Sequence, residues 1–286
     1  MEHRHVFVAF LSFCMSLRLV LVCAKVQLPL PRLPPKPHIP QQTPLDARWY
    51  QGTATWYGEP EGSGSNGGAC GYGKMVDVKP LKYRVSAAGP MLFKKGKGCG
   101  ACYKVKCTDK ELCAKRAVTV IITDECPGCP PVHFDLSGAA FGRMAVKGKN
   151  SHLRNKGRLP IIFKRISCLY PGKNMSFHVN EGSSPYWLSL RPEFVKADGE
   201  IGSMYLKQGD STEWMPMTNL WGANWAVTKG PLKGPFSVRL ITTTGKSFTS
   251  KNVIPHNFSP KASYISTGNG NPKRNVKPLA TKKQLT

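Results

Sequence analysis

Cysteine placement is the strongest constraint on how this chain folds. Eight cysteines fall between positions 70 and 168 of the 286-residue chain, at Cys70, Cys99, Cys102, Cys107, Cys113, Cys126, Cys129 and Cys168, and none follows. An even number of cysteines within roughly a hundred residues is typical of a disulfide-braced domain in an oxidising compartment. The pattern therefore predicts a disulfide-linked domain that ends near residue 170, followed by a cysteine-free domain.

The first 24 residues have the features of a secretory signal peptide. Arg4 precedes an apolar stretch, and Val22 and Ala24 occupy the small-residue positions of a cleavage site. Arg18 interrupts the apolar stretch, which disfavours a retained membrane span. We therefore expect a secreted, extracellular protein without stable membrane insertion, with loose membrane association as the alternative.

Two C-x-x-C pairs allow a second interpretation of the cysteines. Cys99 and Cys102 are separated from Cys126 and Cys129 by 23 residues, which is close to the spacing of zinc ribbons. A lone C-x-x-C is also typical of thiol redox motifs. Behind a signal peptide, with four further cysteines interleaved, disulfides are favoured, and no metal or organic cofactor is expected.

Composition divides the mature chain into four segments. Residues 25–48 hold seven prolines and are expected to form an extended leader. Residues 49–170 alternate short strand patterns with glycine-rich loops and one short helical pattern, which favours a β-barrel. Residues 171–265 contain many short strand patterns and a hairpin turning at Gly245, which favours a β-sandwich. Residues 266–286 form a basic tail expected to be disordered.

The charge balance restricts the partners. Lysine and arginine number 41 against 16 acidic residues, a formal net charge of +25. Such a charge favours a polyanion: nucleic acid, an anionic membrane or an acidic polysaccharide. Secretion makes nucleic acid an unsuitable partner, so acidic glycans remain as the expected electrostatic ligand.

Few carboxylates in the first domain are placed for chemistry. Asp124 closes a buried strand pattern, Glu59 follows an aromatic strand, and His133 and Asp135 lie on one face of an extended segment. Glycosidic bond cleavage needs two carboxyl groups, an acid and a base or nucleophile. The alternative is a structural role, in which Asp135 or Ser137 caps the helix that follows. Residue types alone leave both interpretations open.

Five motifs follow one another between residues 48 and 265: TATWYG (53–58), NGGACGYG (66–73), GCGACYKVKC (98–107), HFDLSGAAFG (133–142) and WGANW (221–225). Together with NVIP at 252–255, they resemble the β-expansins of plant cell walls. The resemblance implies an all-β protein. Its first domain would be a six-stranded double-psi β-barrel similar to family-45 endoglucanases, followed by an immunoglobulin-like β-sandwich that binds polysaccharide.

The resemblance also implies roles for individual residues. The family's disulfides would be Cys70–Cys99, Cys102–Cys168 and Cys107–Cys113, which leaves Cys126 and Cys129 to pair with each other. The counterpart of Asp135 is the general acid of the related endoglucanases, and Glu59 stands at the position of their base, where expansins generally lack a working group. The residues expected to line a sugar groove are Thr55, Tyr57, Asp124, His133 and Asp135, with Trp56 as an apolar face.

Aromatic side chains are the candidates for glycan binding in the second domain, because flat sugar rings stack on them. The family motifs place Trp187 and Trp221 on an exposed platform, with Tyr186 as a weaker candidate. Trp214 and Trp225 are expected in the core.

The resulting interpretation is a monomeric, non-hydrolytic wall-loosening protein that disrupts noncovalent contacts between cellulose and matrix glycans, xylans among them. The alternatives are a weak endoglucanase or xylanase with Asp135 as acid and Glu59 as base, and a lectin-like structural wall protein. Asn174 and Asn257 begin two glycosylation sequons.

Overall fold

A computed structural model describes residues 48–267 and the backbone of Lys273–Arg274. The expected signal peptide, leader residues 25–47 and tail positions 268–272 and 275–286 lie outside the described residues. Within the described part, no helix is long and apolar enough to cross a bilayer. The tail differs from expectation at one place, because Lys273–Arg274 pairs as a strand with Tyr264 and Ile265.

Six strands close into a barrel in the first domain, as predicted. They are β1 (Tyr50–Tyr57), β2 (Val85–Ala88), β3 (Cys102–Cys107), β4 (Val118–Glu125), β5 (His133–Ser137) and β6 (Leu159–Ile166), in the order β1-β5-β2-β4-β3-β6. The β1–β5 and β2–β4 pairs are parallel, and the other pairs are antiparallel. Closure leaves no free sheet edge in this domain.

Side chains alternate between the two faces of each strand, and three of those that point into the barrel are aromatic. Tyr103 of β3, Phe134 of β5 and Phe163 of β6 are almost fully buried. Their ring centroids lie 5.2 Å, 6.0 Å and 5.0 Å apart in tilted or edge-to-face arrangements. Burial of each such ring stabilises the fold by about 2–3 kcal/mol. Residues one position away on each strand belong to the opposite face, and on β5 these residues are His133 and Asp135.

In the described residues, three short α-helices lie between the barrel strands: α1 (Pro90–Phe93), α2 (Gly138–Gly142) and α3 (Asn150–Asn155). Only α2 was predicted from the sequence. Its cap is Ser137, whose side-chain oxygen accepts a hydrogen bond from the Ala140 amide at 3.1 Å. Asp135 is therefore not the cap, and its carboxylate is free for other contacts.

The described part of the chain contains four disulfides. Three are the pairs that the family resemblance implied, Cys70–Cys99, Cys102–Cys168 and Cys107–Cys113, and the fourth joins the two cysteines left over, Cys126 and Cys129. All four cysteines of the two C-x-x-C motifs are thus in disulfides. The zinc interpretation of these cysteines is excluded, because a zinc ligand is a free thiolate.

The second domain is a β-sandwich of nine strands. They are β7 (Ser176–Val179), β8 (Leu188–Glu193), β9 (Ile201–Gln208), β10 (Met215–Trp221), β11 (Asn224–Val227), β12 (Phe236–Thr242), β13 (Ser247–Ile254), β14 (Ser263–Ile265) and β15 (Lys273–Arg274). Strand β10 joins the two layers, because Met215–Met217 pair with β9 and Thr218–Trp221 pair with β11. The β12–β13 hairpin turns at Gly245, as predicted.

The sandwich core confirms one tryptophan prediction and corrects another. Trp225 is buried, 8% exposed, among Phe177, Leu190 and Phe236. Trp214, which we expected in the core, is only half-buried before β10. The Arg239 guanidinium lies 4.2 Å from its ring centroid, so Trp214 covers a cation at the surface instead of filling the interior.

Buried charges join the barrel to the sandwich. Arg165 of β6 donates to the Glu200 carboxylate at 3.1 Å and to the Tyr103 hydroxyl at 3.0 Å. The Lys94 ammonium lies 3.0 Å from the same carboxylate. Arg165 and Glu200 are both buried, and charges removed from water are costly unless they are paired. This cluster therefore favours one arrangement of the two domains.

Candidate functional site

The first part of the site lies on the outward face of β1 and β5. The two strands run parallel, with Thr53 opposite His133 and Thr55 opposite Asp135. Side chains two residues apart on a strand share a face. The parallel register therefore brings two threonines, the histidine and the aspartate together on the face of the two strands that points away from the barrel core.

A directed chain of hydrogen bonds links these four side chains. The Thr55 hydroxyl donates to Asp135 Oδ1 at 2.5 Å and lies 2.9 Å from His133 Nε2. Because the Thr55 proton is committed to Asp135, His133 Nε2 must donate to Thr55. His133 Nδ1 lies 2.7 Å from the Thr53 hydroxyl. In the neutral imidazole the proton is therefore on Nε2, and Nδ1 accepts from Thr53.

Burial favours the neutral form of His133. The residue is 1% exposed, and its pKa is lowered by burial first and by the positive charge of Arg158 second. Hydrogen bonds at both ring nitrogens fix the orientation of the imidazole between Thr53 and Thr55.

Asp135 has a raised pKa. Burial is the main cause, and the negative charge of Asp124 adds to it, while the hydrogen bond from Thr55 opposes both. A half-buried carboxyl of this kind holds its proton to higher pH than an ordinary aspartate. When it is protonated, this carboxyl presents both a hydrogen-bond donor and an acceptor.

Asp124 connects the barrel face to a glycine-rich loop. Its Oδ1 accepts hydrogen bonds from the Ala69 amide at 2.7 Å and the Glu125 amide at 2.8 Å. Gly68 lies so close that an added Cβ would come within 2.9 Å of the Asp124 Cβ. The motif NGGACGYG is thus explained by close backbone approach to Asp124.

Tyr57 lies on the same face as Thr55, one strand repeat further along β1. Its hydroxyl is buried. Burial, followed by the charges of Asp124 and Asp135, raises the Tyr57 pKa well above its usual value. The phenol therefore stays protonated and is a hydrogen-bond donor near the two carboxyl groups.

Trp56 does not belong to this face, contrary to our expectation. It alternates with Thr55 and lies on the side of β1 that carries Ala54, packed against the barrel core. Its indole nitrogen donates to the Arg154 carbonyl at 3.0 Å. Trp56 thus anchors the segment around α3 and lies on the opposite face of β1 from Thr55.

Glu59 stands apart from the hydrogen-bonded chain. It follows the end of β1 in an exposed turn that is closed by a hydrogen bond from the Gly62 amide to the Glu59 carbonyl at 2.8 Å. Its amide donates to the Ser63 carbonyl at 2.9 Å. The acidic group whose negative charge raises the pKa of Asp135 is Asp124.

Trp221 extends the site into the sandwich. The register of β10 and β11 shifts between Asn219 and Trp221, which marks a β-bulge at Leu220. Without the bulge, Trp221 would share the face of Met217, which is buried in the core. The extra residue turns Trp221 to the opposite face, where it is 55% exposed.

The Trp221 ring lies against the barrel loop that contacts Asp124. A Cβ added at Gly71 would come within 2.7 Å of the Trp221 ring. The Ala223 amide donates to the Cys70 carbonyl at 3.1 Å. One loop, residues 68–71, therefore contacts Asp124 at one end and Trp221 at the other, so the barrel face and the sandwich face form a continuous surface.

Trp187 and Tyr186 lie further along the sandwich. Ser189 pairs with Ala226, and Trp187 lies two residues before Ser189, so Trp187 lies on the face that Trp221 occupies. Two strand spacings and four residues of offset place the two tryptophans roughly 16 Å apart. Trp187 is half-buried, while Tyr186 is 67% exposed. These rings continue the surface beyond Trp221.

Sequence reasoning missed three parts of this site: Thr53, the loop that ends at Gly71, and the bulge at Leu220. The period-two spacing of Thr53, Thr55 and Tyr57 was a usable signal for the first.

Within the described part of the chain, no group of three potential metal ligands is present.

Comparison with known proteins identifies the family. The family model described as Expansin C-terminal domain matches residues 175–255, and one described as Lytic transglycolase matches residues 85–163. Expansin-B3 of Arabidopsis thaliana is 56% identical over 230 residues, covering 79% of this chain and 87% of that protein. Expansin-B16 of Oryza sativa subsp. japonica is 57% identical over 227 residues, covering 78% and 84%.

Solved structures share the fold. The crystal structure of the apo expansin of Clavibacter michiganensis aligns with a TM-score of 0.59 at 23% identity, covering 77% of this chain and 96% of that one. A mutant of the same expansin, in complex with cellohexaose, aligns with a TM-score of 0.58 at 22% identity, covering 80% and 97%. With more than half of its residues identical to expansin-B proteins over most of both chains, this chain belongs to the expansin-B family.

Proposed function

We propose that this chain is a secreted cell-wall protein that loosens the wall without hydrolysis, by binding glycan chains and disrupting noncovalent contacts between cellulose and matrix glycans. The observation that carries the proposal is the continuous surface from Asp135 through Asp124 and Gly71 to Trp221. A long, open surface with polar groups at one end and stacking rings at the other suits an extended polysaccharide.

The absence of hydrolysis is part of the proposal. Cleavage needs an acid and a base or nucleophile at a defined separation. Asp135 is suited to the acid role through its raised pKa, but Glu59 is exposed in a turn and Asp124 is held by two backbone amides. We infer that Asp135 binds sugar in a site that has no working base.

The ligand class and the setting are proposals of the same kind. The bacterial expansin solved with cellohexaose supports a β-glucan for the aromatic platform of Trp187, Trp221 and Tyr186, and a xylan is the proposed matrix glycan. We expect a monomer, with domains at 49–170 and 171–265. Asn174 and Asn257 are both exposed near strand ends and are the proposed glycosylation sites.

The test is extension of isolated wall strips under constant load at mildly acidic pH, with released reducing sugar measured in the same sample. Wild-type protein is expected to extend the wall without sugar release, and Asp135→Asn to abolish most of the extension. Glu59→Gln serves as the matched carboxyl-to-amide control and is expected to behave as wild type. Sugar release that disappears in Glu59→Gln would establish the hydrolase alternative instead.

A further inference from the structure

A second charged surface lies on the barrel, away from the groove. Lys104 and Lys106 of β3 and Lys164 of β6 point outward, and Trp49 precedes β1 beside them. We refer to these four residues as the lysine face. In the closed order of strands, β3 is three places from β5, so the lysines on β3 lie on the opposite side of the barrel from Asp135.

The cross-strand neighbours of these lysines carry no negative charge. Lys104 lies directly opposite Lys164 on β6 and opposite Thr119 on β4, and Lys106 lies opposite Ile162. None of the three lysines forms an ion pair with a residue in the described part of the chain. Like charges directly opposite each other on a sheet are destabilising, so packing alone does not explain the arrangement.

Trp49 holds two of the ammonium groups together. The Nζ atoms of Lys106 and Lys164 each lie 5.1 Å from its ring centroid, so at most twice that distance separates them. Attraction to the ring offsets part of their repulsion. The two cations are thus preorganised as a pair before any anion binds.

An apolar cavity adjoins Lys104. It has a volume of about 350 Å³, and Lys104 lies in its wall with Leu81, Ile121, Ile166 and Leu169. Leu169 is 78% exposed. The combination of grouped cations and an apolar recess suits a ligand that carries carboxylates on rings with apolar faces.

We propose that the lysine face binds a polyuronate, an acidic polysaccharide with a carboxylate on each sugar. Lys104, Lys106 and Lys164 pair with successive carboxylates, and a ring face packs into the cavity beside Lys104. Neighbours on one strand lie about 7 Å apart and directly opposite residues about 5 Å apart. That density of cations matches a chain charged at every sugar better than a sparsely substituted glycan. The site is separate from the groove and holds the protein on the wall while the groove acts.

The test compares two triple variants of the mature chain with equal net charge. Lys104→Gln, Lys106→Gln and Lys164→Gln remove the lysine face, and Lys196→Gln, Lys233→Gln and Lys251→Gln remove three exposed lysines of the sandwich. Affinity for polygalacturonate is measured across a salt series, and insoluble cellulose is the neutral probe. The first variant is expected to lose about tenfold or more in affinity at low salt, with a shallower salt dependence and unchanged cellulose binding.

An equal loss of affinity in both variants would overturn the proposal, because it would show attraction to the overall charge and not to a site. A single variant, Lys104→Glu, distinguishes a loss of binding from a loss of folding. It places opposite charges across β3 and β6, so it should be at least as stable as wild type and still bind polygalacturonate more weakly. Undiminished polygalacturonate binding by Lys104→Glu would also overturn the proposal. Wall extension tests the groove and gives its answer independently of either result.

Discussion

Replacement of Trp221 by alanine tests the aromatic part of the proposed glycan surface. Trp221 exposes 55% of its surface, and a tryptophan side chain offers up to about 250 Å². If half of the exposed area is one ring face, a stacked sugar covers about 70 Å² of it. At about 25 cal/mol per Å², the loss is about 1.7 kcal/mol, a roughly 20-fold weaker Kd for cellulose.

The assay is a depletion isotherm on insoluble cellulose with purified protein. Leu220→Ala is the matched control, because Leu220 is the neighbouring bulge residue and is 42% exposed. It is expected to change the Kd less than threefold, which corresponds to about 0.6 kcal/mol. Equal affinities of the Trp221 variant and wild type, or an equal loss in both variants, would refute the assignment of Trp221 as a stacking residue.

Three further predictions follow from the geometry. Gly71→Ala should weaken cellulose binding because its Cβ would collide with the Trp221 ring, whereas Gly73→Ala, also at positive φ but with open space around it, should cost only about 1 kcal/mol of stability without loss of binding. Because the folded pKa of Asp135 is raised, its ionisation destabilises the fold as pH rises above the ordinary aspartate value. Asp135→Asn should therefore be more stable than wild type near neutral pH and lose that advantage in acid, as measured by urea unfolding across pH. Arg165→Met should lower the free energy of unfolding by roughly 2–4 kcal/mol, because Glu200 then stays buried with Lys94 as its charged partner and the Thr243 hydroxyl as a neutral donor, and the added change Glu200→Gln should recover part of the loss in calorimetry.

The sequence alone predicted the features that depend on local residue patterns or on the positions of the cysteines. Eight cysteines confined to one part of the chain indicated a braced barrel and a separate cysteine-free domain, and the turn at Gly245 was readable from its hairpin pattern. His133 and Asp135 could be placed on one face, because strand alternation is a local property.

The remainder depended on contacts between distant segments. The cap of α2 is Ser137 and not Asp135, because the parallel register with β1 commits Asp135 to Thr55. Trp56 was misplaced because the match to a motif does not show which face of a strand packs inward. Trp221 reaches its face through a bulge at Leu220, and an extra residue in one strand is invisible without its partner strand.

The most direct test of the central claim, that the barrel face and the aromatic platform bind one glycan, is calorimetric affinity across a series of cello-oligosaccharides of increasing length. The account predicts a rise in affinity once the chain is long enough to reach from Asp135 to Trp221. Trp221→Ala should remove that rise and leave the affinity for short oligosaccharides unchanged. An identical length dependence in wild type and Trp221→Ala would contradict a single continuous surface.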